Sequence, residues 1–232
     1  MNDNRSLLDR FRPRAVAPKS ILVVGLGRFG GAMADTLMEL GHEVLGVDRD
    51  PDRVARFADR LTHTAEVDTS DIEALRQLGA PDMSHAVVAI GTYLEASVLT
   101  VAALADLSVG DIWAKATTPE HKSILERVGA HHVVLPEVDM GRRVAHLITG
   151  DAIDYVKIDD DFVLIETRTP AEYAGRSLGE SGIRDRFDVT VVCVKPPGGS
   201  FTYATAATIL ESDGLLLVAG TAAAADAFAR GA

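Results

Sequence analysis

Cysteine is almost missing from this 232-residue chain: Cys193 stands alone. That excludes an internal disulfide framework and any zinc site built on cysteines. Cys193 sits in the apolar run Val189–Val194, where it reads as a small buried hydrophobe. Basic residues are also in deficit, with 23 Lys and Arg against 34 Asp and Glu, a net charge of −11. A body of that sign offers no footprint for nucleic acid, so none is expected as a partner. No apolar run approaches the ~20 residues needed to cross a bilayer, and Met1 to Lys19 lacks the apolar core of a secretory signal. The expectation is a soluble, cytoplasmic protein whose link to any membrane runs through a partner.

What is present is ordinary for a globular chain, 47% hydrophobic and 25% charged, and long enough for one large or two modest domains. Residues 1–19 read as a flexible polar tail carrying Arg5, Arg10, Arg12, Arg14 and Lys19; a short amphipathic contact through Leu7, Leu8 and Phe11 is the other reading. From Ser20 short β-branched runs alternate with helical periodicity. Strands are expected at 21–24, 43–48, 63–67, 87–90, 112–116 and 132–135, with helices at 29–40, 51–60, 71–78, 94–107 and 119–128. The strand runs are continuously apolar, as in a parallel, doubly wound α/β sheet, which sets a Rossmann-like domain at 20–136. A helix from Met140 to Thr149 and a linker fill 137–154. Residues 155–232 read as a smaller α+β subdomain, with strands near 156–158, 163–167, 190–194 and 215–218, a helix near 177–183 and an alanine-rich helix from Thr221.

The strongest chemical signal is Gly25-Leu26-Gly27-Arg28-Phe29-Gly30, placed directly after the first strand and opening a helix. Gly25 permits the tight turn, Gly27 lets a pyrophosphate approach the backbone, and Gly30 lets the helix pack close to the strand with its N–H groups facing phosphate. Asp48 closes the second strand about 20 residues on, where a carboxylate accepts hydrogen bonds from ribose hydroxyls and repels a 2′-phosphate; Arg49 beside it joins the predicted site. Arg28 adds a guanidinium suited to terminal phosphates. Asp68 and Thr69 close the third strand, and Ile90 and Gly91 the fourth, at the carboxyl edge where such sheets bind ligands. Asp68 has an equal reading as the cap of the helix from Asp71. Lys115 ends a buried strand, so it either meets a carboxylate such as Asp68 or reaches the ligand.

A dehydrogenase would add a proton donor and an anchor for substrate. No Ser/His/Asp or Tyr-x-x-x-Lys set emerges, the segment beyond Tyr155 has no histidine, and His131 and His132 lack partners at metal-ligand spacing. A nucleotide site without the chemistry to use it points to a sensor and not an enzyme. The alternative is an NAD-linked oxidoreductase or an NAD(H)-sensing Rossmann protein.

The ordered set Gly25–Gly31, Met38–Asp48, Val88–Gly91, Ile112–Ala116, Leu125–Ala130 and Leu135–Gly141 resembles the RCK (KTN) regulatory proteins of Ktr and Trk potassium transporters. The likeness is strong over residues 20 to 150, looks nearest to the Ktr-type gating subunits, and extends to 232 as the family's C-terminal subdomain. It implies a homodimer assembling into an octameric ring on the cytoplasmic face of a membrane potassium-translocating subunit, with ATP and ADP exchanging at the Rossmann site. By that resemblance Arg28 senses the terminal phosphate, Asp48 holds the ribose, and Glu137 lies near the phosphates, where a divalent cation is an option. The helix after Glu137, with Met140, Val144, Leu147 and Ile148 on one face, resembles the family's crossover helix. Ile183-Arg184 resembles a pair from the cyclic di-AMP pocket of some relatives, although Thr190 stands where those carry Asn.

Overall fold

The computed structural model describes residues 17–149 and 152–230; the contact considered for Leu7, Leu8 and Phe11 lies outside them. Two compact units divide the chain, Met1–Pro136 and Glu137–Ala232.

In the first unit, Ser20–Val24 forms β1, whose four consecutive apolar side chains are all buried, the signature of an inner parallel strand. It is joined by β2 (Glu43–Asp48), β3 (His63–Glu66), β4 (His85–Val88), β5 (Ile112–Lys115) and β6 (His132–Val134), with helices α1 (Arg28–Glu39), α2 (Pro51–Phe57), α3 (Ile72–Gln77), α4 (Leu94–Asp106) and α5 (Pro119–Arg127) between them. Every pairing is parallel and the order is β3-β2-β1-β4-β5-β6. The expected doubly wound sheet is therefore present, and its two faces can be read from alternation along β1. Ile21 and Val23 pack with Ala34, Phe57 and Leu61 of the α1–α2 side. Leu22 and Val24 pack with Leu75, Val101, Leu104 and Leu125 of the α3–α4–α5 side. Because the chain passes from the β3 edge back to β4 beside β1, a crevice opens at the carboxyl ends of β1 and β4, where such sheets take ligands.

Local chemistry corrects two readings. Asp71, and not Asp68, caps α3, its carboxylate accepting from the Glu73 N–H at 2.9 Å. β4 ends at Val88, so Ile90 and Gly91 lie beyond it in the loop.

Buried in the first turn of α5, His121 is only 1% exposed. Its Nδ1 accepts the Thr117 N–H at 3.4 Å, its Nε2 has no partner, and burial pushes the imidazole below its ordinary range. The folded protein thus binds this proton less readily than the unfolded chain. Stability is complete above an ordinary histidine pKa of about 6.5 and falls as the pH drops below it, by at most about 1.4 kcal/mol per pH unit for one group. Urea denaturation between pH 7.5 and 5 should show a steeper acid loss for the native chain than for His121→Gln; parallel losses would remove the effect from His121.

The chain enters the second unit along α6 (Pro136–Thr149), which starts four residues earlier than the pattern suggested. Pro136 fits a first helical turn, and Glu137 and Asp139 follow in that turn, where acids favour the helix dipole. A five-stranded antiparallel sheet follows, built from β7 (Ala152–Asp159), β8 (Phe162–Arg168), β9 (Thr190–Lys195), β10 (Thr202–Tyr203) and β11 (Leu215–Thr221) in the order β10-β9-β11-β8-β7. Arg143 of α6 grips Asp154 with a two-pronged bond of 2.5–2.9 Å, which holds that carboxyl below the usual range. The single helix expected at 177–183 is two, α7 (Leu178–Ser181) and α8 (Ile183–Phe187), broken at Gly182 with φ +67°. α9 (Ala222–Ala229) is capped by the Thr221 hydroxyl, and its Phe228 meets Phe187 edge-on at 5.3 Å in the core. Cys193 is half-buried on β9, less enclosed than its apolar neighbours implied.

Candidate nucleotide-binding site

The glycine loop is a fixed turn between β1 and α1. Gly25 adopts φ +94°, a left-handed conformation that an L side chain resists. Its N–H donates to Val47 O at 2.7 Å, tying the loop to the end of β2. A Cβ on Gly30 would stand 1.9 Å from Gly25 O and 2.8 Å from the Ala89 Cβ, so α1 can approach β1 and β4 only because position 30 carries no side chain. The helix begins at Arg28 after Gly27, with no side-chain cap and no acid in its first turn. Its N-terminal amides and the dipole behind them therefore carry a positive potential that no carboxylate of that turn neutralises.

Asp48 is the structural partner of that loop. It is buried, 6% exposed, at the end of β2. Its Oδ2 accepts the Leu26 N–H at 2.8 Å and its Oδ1 the Asp50 N–H at 3.0 Å. Arg53, from the first turn of α2, reaches the same Oδ2 at 3.3 Å and Asp50 at 3.2 Å. The acid thus fixes the loop and retains lone pairs for a further donor such as a ribose hydroxyl. Arg53 was not singled out from sequence; the signal was available in its place one turn into the helix after the acid.

The remaining predicted residues divide. Arg28 is exposed at the helix start and Phe29 half-buried behind it. Lys115 brings its Nζ to 5.6 Å from the centre of the Phe29 ring, and 3.4 Å from where a Cβ on Gly91 would stand. Gly91 therefore leaves space for the ammonium beside the glycine loop. Ile90 is half-buried in the loop after β4. Asp68 accepts from the Ser70 hydroxyl at 2.6 Å and its N–H at 3.0 Å; those bonds, and the Arg49 charge, hold its carboxyl below the usual carboxylate range. Thr69 is buried, its hydroxyl engaged with Thr100 of α4 at 2.9 Å, so the side chain is turned to the helix packing and not to a ligand. Arg49 is exposed, with its guanidinium stacked 3.7 Å over the ring of Tyr93, a residue that sequence reasoning passed over.

Glu137 is exposed in the first turn of α6, in the second unit. Among the described residues, no three His, Cys, Asp or Glu side chains are grouped to hold a metal ion. Of the pair suggested for cyclic di-AMP, Ile183 is 1% exposed and sits in the core of the second unit. Arg184 is exposed and donates to the Thr190 hydroxyl at 3.1 Å.

Residues 21–136 match the TrkA-N domain, and residues 162–230 match the TrkA-C domain. The chain belongs to the TrkA family of RCK proteins. Within that family it is similar to Ktr system potassium uptake protein C of Bacillus subtilis (strain 168), 33% identical over 204 residues, which is 88% of this chain and 92% of that one. Ktr system potassium uptake protein A of the same organism is 30% identical over 203 residues, 87% of this chain and 91% of its own. The RCK fold is also shared with solved structures. The crystal structure of the GsuK RCK domain has a TM-score of 0.65 at 20% identity, over 95% of this chain and 49% of that one. The GsuK channel bound to NAD has a TM-score of 0.63 at 20% identity, over 92% and 39%. This TrkA-family chain thus spans half or less of those two solved chains. No described helix is long and apolar enough to cross a membrane.

Proposed function

We propose that this chain is a cytoplasmic regulatory subunit of a bacterial potassium uptake system, binding ATP and ADP to control a membrane potassium-translocating subunit. The observation that carries the reading is the pairing of an uncapped, acid-free α1 N-terminus with a buried Asp48 that holds the loop open to phosphate. That pairing binds a nucleotide without supplying a base, a nucleophile or a hydride partner. The Ktr system relatives supply potassium as the ion concerned, and their membership in a system supplies the translocating partner. Assembly as a homodimer and then an octameric ring, docked peripherally on the inner membrane face, belongs to the same reading. The second reading, NAD(H) as the sensed ligand, is favoured by Asp48, which suits any unphosphorylated adenine ribose; a channel of the same fold has been solved with NAD.

Arg28 separates the two. It stands exposed at the first residue of α1, where the family resemblance sets the terminal phosphate of ATP. A charge-assisted bond to that phosphate contributes about 1.5–3 kcal/mol. Arg28→Ala should therefore weaken ATP by roughly 10- to 100-fold and ADP by much less. Equal losses in calorimetric titrations would remove the sensing role. The regulatory role itself is tested by potassium flux into vesicles holding the translocating subunit of the same organism. Flux that differs between ATP and ADP only when this chain is added supports the proposal; flux indifferent to the chain refutes it.

A further inference from the structure

Among the described residues, two buried side-chain polar atoms lack a partner: Ser97 Oγ near the start of α4, and Nε2 of His121 in the first turn of α5. Such orphans are exceptions in folded proteins, because a buried donor without an acceptor destabilises the fold. A leucine of similar size would fill the place of His121 without that penalty, so the use of this ring lies in its other nitrogen. Nδ1 accepts the Thr117 N–H at 3.4 Å and lies 3.4 Å from the Thr117 hydroxyl. The His121 N–H in turn donates to Thr118 Oγ1 at 3.1 Å. One residue thus ties both positions of the turn between β5 and α5. The burial that pushes the imidazole below its ordinary range keeps it neutral near pH 7, and only a neutral ring has a nitrogen able to accept.

That turn continues directly from Lys115, the last residue of β5. Its two sides converge on the loop after β4: a Cβ on Gly91 would stand 3.4 Å from Lys115 Nζ and 3.8 Å from Thr117 Cγ2. Lys115 Nζ also lies 5.6 Å from the centre of the Phe29 ring, at the start of α1. The place of the ammonium beside the glycine loop therefore depends on the path of the backbone from 115 to 118. We infer that His121 is a positioning residue of the nucleotide site: by holding the Thr117 N–H it sets the β5–α5 turn and, through it, the place of the Lys115 ammonium. At 1% exposed, His121 cannot touch a nucleotide itself. This inference rests on the nucleotide reading above and adds to it a buried residue that acts from behind the crevice.

The test uses the intact chain, with ATP titrated by calorimetry and stability read from urea unfolding at neutral pH. His121→Leu removes the acceptor and the orphan together. Its unfolding midpoint should equal or exceed the native one, while ATP binds roughly 10- to 100-fold more weakly, the range of one charge-assisted bond. His121→Asn, whose side-chain oxygen can take the place of Nδ1, should restore most of that affinity. Lys115→Ala should weaken ATP by a similar factor, and adding His121→Leu to it should change little further, because the group that His121 places is gone. Native affinity in His121→Leu, an equal loss in His121→Asn, or additive losses in the double variant would overturn the inference. So would a midpoint that falls in step with affinity across the variants, which marks a structural role. Failure of the native chain to bind ATP would instead remove the nucleotide reading beneath it.

Discussion

Gly30→Ala is expected to abolish nucleotide binding and to destabilise the first unit. The new methyl would lie 1.9 Å from Gly25 O and 2.8 Å from the Ala89 Cβ. Neither neighbour is at the end of a flexible side chain. Gly25 is held by its bond to Val47 O, and the Ala89 N–H donates to Val24 O, both at 2.7 Å. Relief therefore comes from α1 moving away from β1, which lowers packing against Ile21 and Val23 and withdraws the helix amides from the phosphate position. Overpacking of this kind costs about 1–3 kcal/mol, and more where backbone must shift. Losing one or two bonds to phosphate at about 1.5–3 kcal/mol each weakens binding by roughly 100-fold or more. Gly41→Ala is the control. Gly41 also has a positive φ of +83°, but a Cβ there meets nothing within 4 Å. It should show only local backbone strain of about 1–2 kcal/mol and native binding. Thermal unfolding and calorimetry on the two variants check both statements; native affinity in Gly30→Ala would show that close helix–strand approach is not needed.

Asp48→Ala should have the next largest effect, and on stability and binding together. Three donors converge on this carboxylate: the Leu26 N–H, the Asp50 N–H and the Arg53 guanidinium. Truncation strands the buried Leu26 N–H and leaves the loop tethered only through Gly25. An orphaned buried donor costs about 1–3 kcal/mol, and the loss of bonds to a charged acceptor adds to it. The expected destabilisation is roughly 2–4 kcal/mol in urea unfolding. ATP, ADP and NADH should all weaken, since each would place an adenine ribose here. Asp48→Asn, which keeps one acceptor oxygen, should fall between the two. Unchanged affinities in the alanine variant would leave Asp48 a purely structural acid.

These two residues were legible from sequence because their roles follow from neighbours in the chain. A glycine loop between a strand and a helix, and an acid ending the next strand, state their own geometry. The βα alternation was equally open to reading, since continuous apolar runs mark inner parallel strands. Other features depended on contacts that no local pattern carries. Asp68 and Asp71 are both plausible caps in one dimension; Ser70 takes Asp68 out of contention by bonding to it. Pro136 reads as the close of the Rossmann-like domain but sits in the first turn of α6, where its missing N–H costs nothing. β10, at two residues, is too short to show alternation. The burial of Ile183 is not written in its neighbours either; it follows from α8 turning the side chain inward beneath the antiparallel sheet. The Arg49–Tyr93 stack joins two loops separated by a full crossover, so only the folded chain brings it together.

As proposed, this TrkA-family chain binds an adenine nucleotide at the Asp48–glycine loop and does not consume it. The most direct test is isothermal titration of the intact chain with ATP and ADP, with the recovered nucleotide assayed afterwards. Saturable binding in the micromolar range, lost in Gly30→Ala, with the nucleotide recovered intact, is the predicted result. Absence of binding to either nucleotide, or recovery of ATP as product at a catalytic rate, would contradict it.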